Sequence, residues 1–121
     1  MAEGDFETMR RESRVRRRPN WAAVCFHAQQ CAEKSLKALL QAAAVEFPRT
    51  HDLVALLDLR QPPVPDLARH RDDLALLSAH AVACRYPGDS TERTDARECR
   101  ARCERFRTTA RRLLGCEAAF L

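Results

Sequence analysis

A long apolar stripe between Asn20 and Val45 constrains the fold more than any other feature of this 121-residue sequence. Its apolar residues recur three or four positions apart, which is the spacing of one buried face of an α-helix. These residues are Trp21, Val24, Cys25, Ala28, Ala32, Leu36, Leu39, Leu40 and Ala43. The stretch therefore predicts a long amphipathic helix that packs against other elements along one side.

Four further segments show helical spacing or helix-starting signals. They are Asp5–Arg16, His51–Leu59 with Thr50 as its N-cap, Asp66–Cys84 and Glu92–Leu114. Isoleucine is absent and valine is scarce, whereas strands favour β-branched residues. A chain of this length suits one compact domain. The sequence thus predicts an all-α, up-and-down bundle of about five helices within a single domain spanning residues 1–121.

The positive charge is modest overall but unevenly distributed. The formal net charge is +4, and arginines crowd two runs, residues 10–18 and 93–112. Such runs attract phosphates and other anions, although a solvated helix face gives the same pattern. Lys34 and Lys37 stand apart from both runs and lie one helical turn from each other on the long helix. The two lysines are therefore a candidate part of an anion-binding site.

Six cysteines follow no pattern typical of a disulfide-rich domain. The N-terminus shows no secretory signal, and no apolar run approaches membrane-spanning length. We therefore expect a cytoplasmic protein without membrane contact, whose cysteines are reduced core residues. Cys99 and Cys103 are spaced to share a helix face, but the short-spaced cysteine pairs typical of zinc sites are missing. The sequence predicts no metal site and no cofactor.

Three short motifs occur in order along the chain. The long helix contains Gln30-Cys31-Ala32-Glu33-Lys34-Ser35-Leu36-Lys37-Ala38-Leu39-Leu40, followed by Thr50-His51-Asp52-Leu53 and later by Arg85-Tyr86-Pro87. In these motifs and their order the sequence resembles the HEPN domain family, whose members carry a helix reading approximately Q-x-A-E-K-x-L-K-A-L-L, then T-H-D-L and then R-Y-P. The resemblance extends over about residues 20–115.

The resemblance implies a helical bundle that is usually a dimer and is often encoded beside a small nucleotidyltransferase. Some members of the family are ribonuclease toxins, whose active site needs an arginine followed by a histidine after four to six intervening residues. In that arrangement the cation steadies the scissile phosphate while the imidazole aids proton transfer. Arg85 stands where this arginine is expected, but the corresponding later positions hold Ser90, Thr91 and Glu92. The missing histidine argues against standard ribonuclease activity.

A binding role remains, and the resemblance and the charges together indicate which residues would carry it. We predict a ligand-binding site formed by Lys34, Lys37, His51, Arg85 and Tyr86. Arginine supplies a planar fork for phosphate oxygens, lysine supplies a point charge, and tyrosine can stack on a base. Arg85 is also the one candidate for a catalytic residue.

Several of these residues also have a purely structural interpretation. Glu33 and Lys37 are spaced to form an ion pair within their own helix. His51 can bond a backbone carbonyl in a first helical turn, and Asp52 can complement the helix dipole. The remaining histidines are given no ligand-binding role on their own: His27, His70 and His80.

Three hypotheses follow for the function. In the first, the protein is a dimer that binds a nucleotide or RNA, or pairs with a small nucleotidyltransferase in a toxin–antitoxin-like module. In the second, it is a divergent, metal-independent ribonuclease toxin that uses Arg85 with His51 or His80. In the third, it is a structural helical dimer without a ligand.

Overall fold

The computed structural model describes residues 2–14, 20–83 and 92–119. Within these ranges the chain forms six helices and no strand. In chain order they are α1 (Ala2–Arg14), α2 (Trp21–Ala42), α3 (Leu53–Asp58), α4 (Pro65–Ala68), α5 (Arg71–Ala83) and α6 (Arg93–Ala119). The structure confirms the predicted all-α bundle and adds one short helix, α4, to those expected.

Helix α2 lies at the centre of the bundle and packs most extensively against α6 and α1, and also against α5 and α3. Every predicted stripe residue from Val24 to Leu40 is buried, whereas Trp21 and Ala43 at the two ends are half-buried. The side chain of Asn20 accepts a hydrogen bond from the Ala23 backbone N–H at 2.9 Å. This N-cap satisfies a backbone donor that the helix leaves unpaired, and it confirms the predicted start.

The predicted end of this helix at Val45 is wrong by three residues, because α2 ends at Ala42. Ala44 adopts the left-handed backbone conformation, with φ 57°. The backbone N–H of Val45 then bonds the carbonyl of Leu40 at 2.8 Å, which is the closing pattern of a Schellman motif. Glycine is the usual residue at such a left-handed position, so an alanine there gives no sign of the helix end.

The predicted N-cap of the third helix, Thr50, is also wrong. Asp52 caps α3, and its carboxylate accepts hydrogen bonds from the backbone N–H groups of Val54 and Ala55 at 3.1 and 3.2 Å. The Thr50 hydroxyl oxygen instead accepts the N–H of Asp52 at 3.1 Å. Both residue types cap helices well. Asp52 is the cap here because its carboxylate accepts hydrogen bonds from two backbone N–H groups at the start of the helix.

The helix predicted over Asp66–Cys84 is divided into α4 and α5 by Arg69 and His70. His70 is buried, and its ring nitrogens lie 3.1 Å from Asp73 Oδ2 and 2.8 Å from Thr109 Oγ1 of α6. These contacts hold the ring inside the bundle at the break. The apolar spacing of the sequence does not predict the break at His70, because one of the residues that hold the ring, Thr109, lies on a different helix.

Helix α6 presents a narrow buried seam to α2 and α5. The spacing predicts a seam of Ala96, Cys99, Cys103, Phe106, Ala110 and Leu113. The first five are buried, whereas Leu113 is half-buried. The helix continues to Ala119 rather than ending at Leu114. The predicted helix ends at Arg16 and Cys84 lie outside the described residues. No helix in the described ranges is long and apolar enough to cross a membrane.

Candidate functional site

A buried carboxylate, Glu33 of α2, organises the polar residues on one side of the bundle. It is only 5% exposed and accepts hydrogen bonds from Gln29 Nε2 at 3.1 Å, Lys37 Nζ at 3.1 Å and His51 Nδ1 at 2.7 Å. Burial alone would raise the pKa of Glu33, but these three hydrogen bonds outweigh it and hold the pKa below its ordinary value. Glu33 is therefore ionised at neutral pH, and the predicted ion pair with Lys37 is confirmed.

His51 stands at the edge of a concavity of about 340 Å³. The lining residues are Gln29, His51, Asp52, Ser78, Ala79, Ala81 and Val82. Because an ionised carboxylate can only accept, the Nδ1 of His51 donates to Glu33, and Nε2 is the ring nitrogen that remains for another contact. The His51 side chain is 61% exposed. The concavity thus offers a ligand one oriented imidazole nitrogen.

The two lysines of the predicted site form ion pairs with different carboxylates. Lys34 forms an ion pair with Asp5 of α1, and Asp5 also bonds His27 Nδ1 at 2.9 Å. Lys37 bonds Glu33 and lies over the ring of Phe47, 5.8 Å from its centroid. Both ammonium charges are therefore largely compensated within the protein, which makes the pair less suited to capturing phosphate than the sequence indicates.

Most arginines of α6 are also paired with carboxylates. The pairs are Arg100–Glu104, Arg102–Asp73, Arg102–Glu98, Arg105–Asp73, Arg107–Glu3, Arg111–Glu3 and Arg112–Asp66. Arg93 and Arg97 are the exceptions, because neither has a carboxylate partner within the described part of the chain. Both side chains are exposed. The first turns of α6 therefore carry two cations without an internal counter-charge.

These two arginines line a second concavity, of about 230 Å³, where the end of α1 and the starts of α2 and α6 meet. Its lining residues are Ser13, Trp21, Arg93, Ala96, Arg97 and Arg100, and we call it the arginine cleft. Arg93, Arg97 and Arg100 share one helix face because they are four and three positions apart. Arg100 also donates to the Ser13 hydroxyl oxygen at 3.0 Å. Trp21 contributes a half-buried aromatic surface.

Comparison with known proteins places the chain in a family. A sequence model of the HEPN domain matches residues 1–113. The chain belongs to the HEPN domain family. No curated protein and no solved structure matches this HEPN protein.

The structure shows how two of the three motifs of this HEPN domain are joined. Glu33 of the helix motif contacts His51 of the T-H-D-L motif, and Gln29 donates to the backbone carbonyl of His51 at 3.0 Å. Of the predicted ligand-binding residues, Lys37 and His51 therefore meet through Glu33, whereas Lys34 is held by Asp5 on α1. The two other members of that prediction, Arg85 and Tyr86, lie outside the described residues.

Sequence reasoning did not find the arginine cleft of this HEPN protein. The two arginine runs were visible, but nothing in their spacing shows that the end of α1 meets the start of α6. The one available signal was the position of Trp21, the only tryptophan in the chain, directly after the first run. The charge of the cleft depends instead on which arginines of α6 form ion pairs with carboxylates, and that is a property of the folded structure.

Proposed function

We propose that this HEPN protein binds RNA or a nucleotide, and that the arginine cleft contacts the phosphates. The observation that carries the proposal is the contrast along α6, where Arg93 and Arg97 have no carboxylate partner among the described residues but the other arginines do. A guanidinium without an internal counter-charge keeps its planar fork of donors available for phosphate oxygens. The cleft thus differs from a basic surface whose charges are already compensated.

Two physical effects favour an anion with an attached base in this cleft. Like charges four residues apart on a helix destabilise it by roughly 0.2–0.5 kcal/mol, so a phosphate between Arg93 and Arg97 would relieve a repulsion. Trp21 lines the same concavity, and stacking of a base on an aromatic ring contributes about 1–3 kcal/mol. Phosphate contacts and stacking together are the usual way in which proteins hold single-stranded nucleic acid.

The test is a titration of labelled single-stranded RNA, followed by fluorescence anisotropy, with the variant Arg93→Gln/Arg97→Gln. We expect its affinity to fall about tenfold or more, since two phosphate contacts are lost. The slope of log K against log salt should decrease by about 1.4 for the same reason. The matched control is Arg111→Gln/Arg112→Gln, which removes the same charge from two exposed α6 arginines that are paired with Glu3 and Asp66.

The control variant should lose much less affinity than the cleft variant. Equal losses in both variants would contradict the proposal, because they would indicate a diffuse basic surface without a defined site. A third variant, His51→Gln, should leave RNA affinity unchanged if the cleft is the main contact. Cleavage of the RNA without metal would instead favour the alternative of a divergent ribonuclease toxin that uses Arg85.

The ligand site predicted from the sequence remains a proposal for the concavity beside His51. Ala81 and Val82 near the end of α5 line this concavity, and Arg85 follows Val82 by three residues in the sequence. A mononucleotide held there would have the Nε2 of His51 as a polar contact.

A second proposed function is pairing with another protein chain over this side of the bundle. Among the described residues, two large apolar side chains are exposed: Phe26, at 38%, and Val82, at 54%. Phe26 lies one helical turn before Gln29, which lines the concavity together with Val82. A contiguous apolar patch on the surface marks an interface, and we propose that these two side chains belong to one. The family resemblance indicates a second copy of this chain or a small nucleotidyltransferase in a toxin–antitoxin-like module.

Size-exclusion chromatography with light scattering tests the homodimer. We expect the wild-type protein to elute with twice the mass of one chain, and Val82→Asp to shift it towards the monomer, because a charge would be buried in the interface. Ala101→Asp introduces the same charge at an exposed position of α6 and should leave the mass unchanged. A wild-type monomer at high concentration would contradict this proposal.

A further inference from the structure

Three potential metal ligands from three different helices meet inside the bundle. They are Cys25 of α2, His80 of α5 and Cys99 of α6, and one ligand atom from each lies within 4.8 Å of the others. Both cysteines are completely buried, whereas His80 is half-buried. The imidazole therefore connects the two enclosed sulfur atoms with the surface of the protein.

Helices α2 and α6 also carry a second pair of neighbouring cysteines, which has no histidine beside it among the described residues. Cys31 of α2 and Cys103 of α6 lie in hydrogen-bond contact, and both are buried. The hydrogen bond that Cys103 donates to Cys31, together with burial, raises the pKa of the Cys103 thiol well above its ordinary value, and the same hydrogen bond lowers the pKa of Cys31. This pair offers two sulfur atoms with no nitrogen ligand beside them among the described residues.

We infer that Cys25, His80 and Cys99 form a zinc-binding site. Two thiolates and one imidazole are a ligand set that Zn²⁺ favours, and the remaining position of a tetrahedral ion is open to water or another donor. Around such an ion the ligand atoms lie roughly 3.5 Å apart. The three residues thus need to approach by about 1 Å, a distance that side-chain rotation supplies. Binding replaces the two S–H protons with Zn–S bonds and releases both protons to solvent.

The site would join the end of α5 to the two longest helices of the bundle. The neighbours of His80 in the sequence, Ala79 and Ala81, line the concavity beside His51. Zinc bound to His80 would therefore fix the α5 residues that form one wall of this concavity. This consequence does not depend on the proposed binding of RNA, because the zinc site and the arginine cleft share no residue.

Metal titration of the whole chain, purified under reducing conditions and treated with a chelator, tests the inference. Zn²⁺ is titrated against a chromogenic chelator, and Co²⁺ is used in parallel, since a tetrahedral cobalt site with thiolate ligands has characteristic visible absorption. We expect one equivalent of metal to bind and the thermal midpoint to rise on binding. His80→Ala should weaken zinc binding about 100-fold or more, because it removes a direct ligand. Its partial exposure makes this variant the least disruptive of the three ligand substitutions.

The matched control is Cys31→Ala, which removes a buried α2 thiol from the cysteine pair without a histidine. This variant should bind zinc like the wild type, whereas Cys25→Ala should lose binding together with the cobalt spectrum. Circular dichroism checks that each variant is folded. Absence of stoichiometric binding by the wild type would overturn the inference. Binding that survives in both His80→Ala and Cys25→Ala would overturn it as well.

Discussion

Three carboxylates, Asp5, Glu33 and Asp73, each connect their helix to another part of the chain. Asp5 joins α1 to α2, Glu33 joins α2 to the segment before α3, and Asp73 joins α5 to α6. In each case burial raises the pKa of the carboxyl group, but hydrogen bonds from cationic and polar groups outweigh it, so the pKa is lowered. These residues therefore stabilise the fold in the ionised form.

Replacement of Asp73 by Asn should reveal the largest of these contributions. Asp73 bonds Arg102 at 2.6 Å, Arg105 at 2.9 Å and His70 at 3.1 Å, and it is 8% exposed. We expect Asp73→Asn to lower the free energy of unfolding by about 1–2 kcal/mol at neutral pH, because a largely buried carboxylate that accepts hydrogen bonds from Arg102, Arg105 and His70 is lost. Urea denaturation measures this change.

The same variant should flatten the acid dependence of stability. Since the pKa of Asp73 lies below its ordinary value of 3.8 in the folded protein, the contribution is complete above pH 3.8 and is lost as the pH falls through the lower folded value. Asp66→Asn is the control, because Asp66 pairs with Arg112 and its side chain is 49% exposed. Asp66→Asn should lower the free energy of unfolding by less than about 1 kcal/mol. Equal destabilisation by the two substitutions would contradict this account of Asp73.

At the scale of the helices, apolar spacing predicted the buried faces far better than the helix ends. The stripe of α2 and the seam of α6 are buried as the spacing indicates, since burial of one face follows directly from helical periodicity. The end of α2 at Ala42, the cap of α3 at Asp52 and the break at His70 were not predicted. Each depends on a single backbone angle or on a side chain that finds its partner only in the folded chain.

The start of α3 allows a direct comparison of the predicted and the observed cap. Asp52→Ala should lower the free energy of unfolding by about 1 kcal/mol, because two backbone N–H groups lose their acceptor. Thr50→Ala removes only the acceptor of the Asp52 N–H, so we expect a smaller loss. Thermal unfolding followed by circular dichroism measures both. A larger effect of Thr50→Ala would restore the cap predicted from the sequence.

At the scale of the whole molecule, the sites depend on which distant segments meet. Lys37 and His51 belong to the ligand site predicted from the sequence, and in the structure both contact Glu33. The sequence motifs did not identify Asp5 as the partner of Lys34, because Asp5 lies on another helix. The arginine cleft could not be predicted from the sequence for the same reason, because Ser13, Trp21 and Arg97 come from three helices.

In the proposed function, nucleic-acid phosphates bind in the arginine cleft and a base stacks on Trp21. Trp21 is the only tryptophan of the chain, so its fluorescence during a titration with unlabelled single-stranded RNA reports on the cleft alone. We predict quenching that saturates for the wild type and shifts to about tenfold higher RNA concentrations for Arg93→Gln/Arg97→Gln. An unchanged tryptophan emission, at RNA concentrations where anisotropy shows complete binding, would contradict the claim.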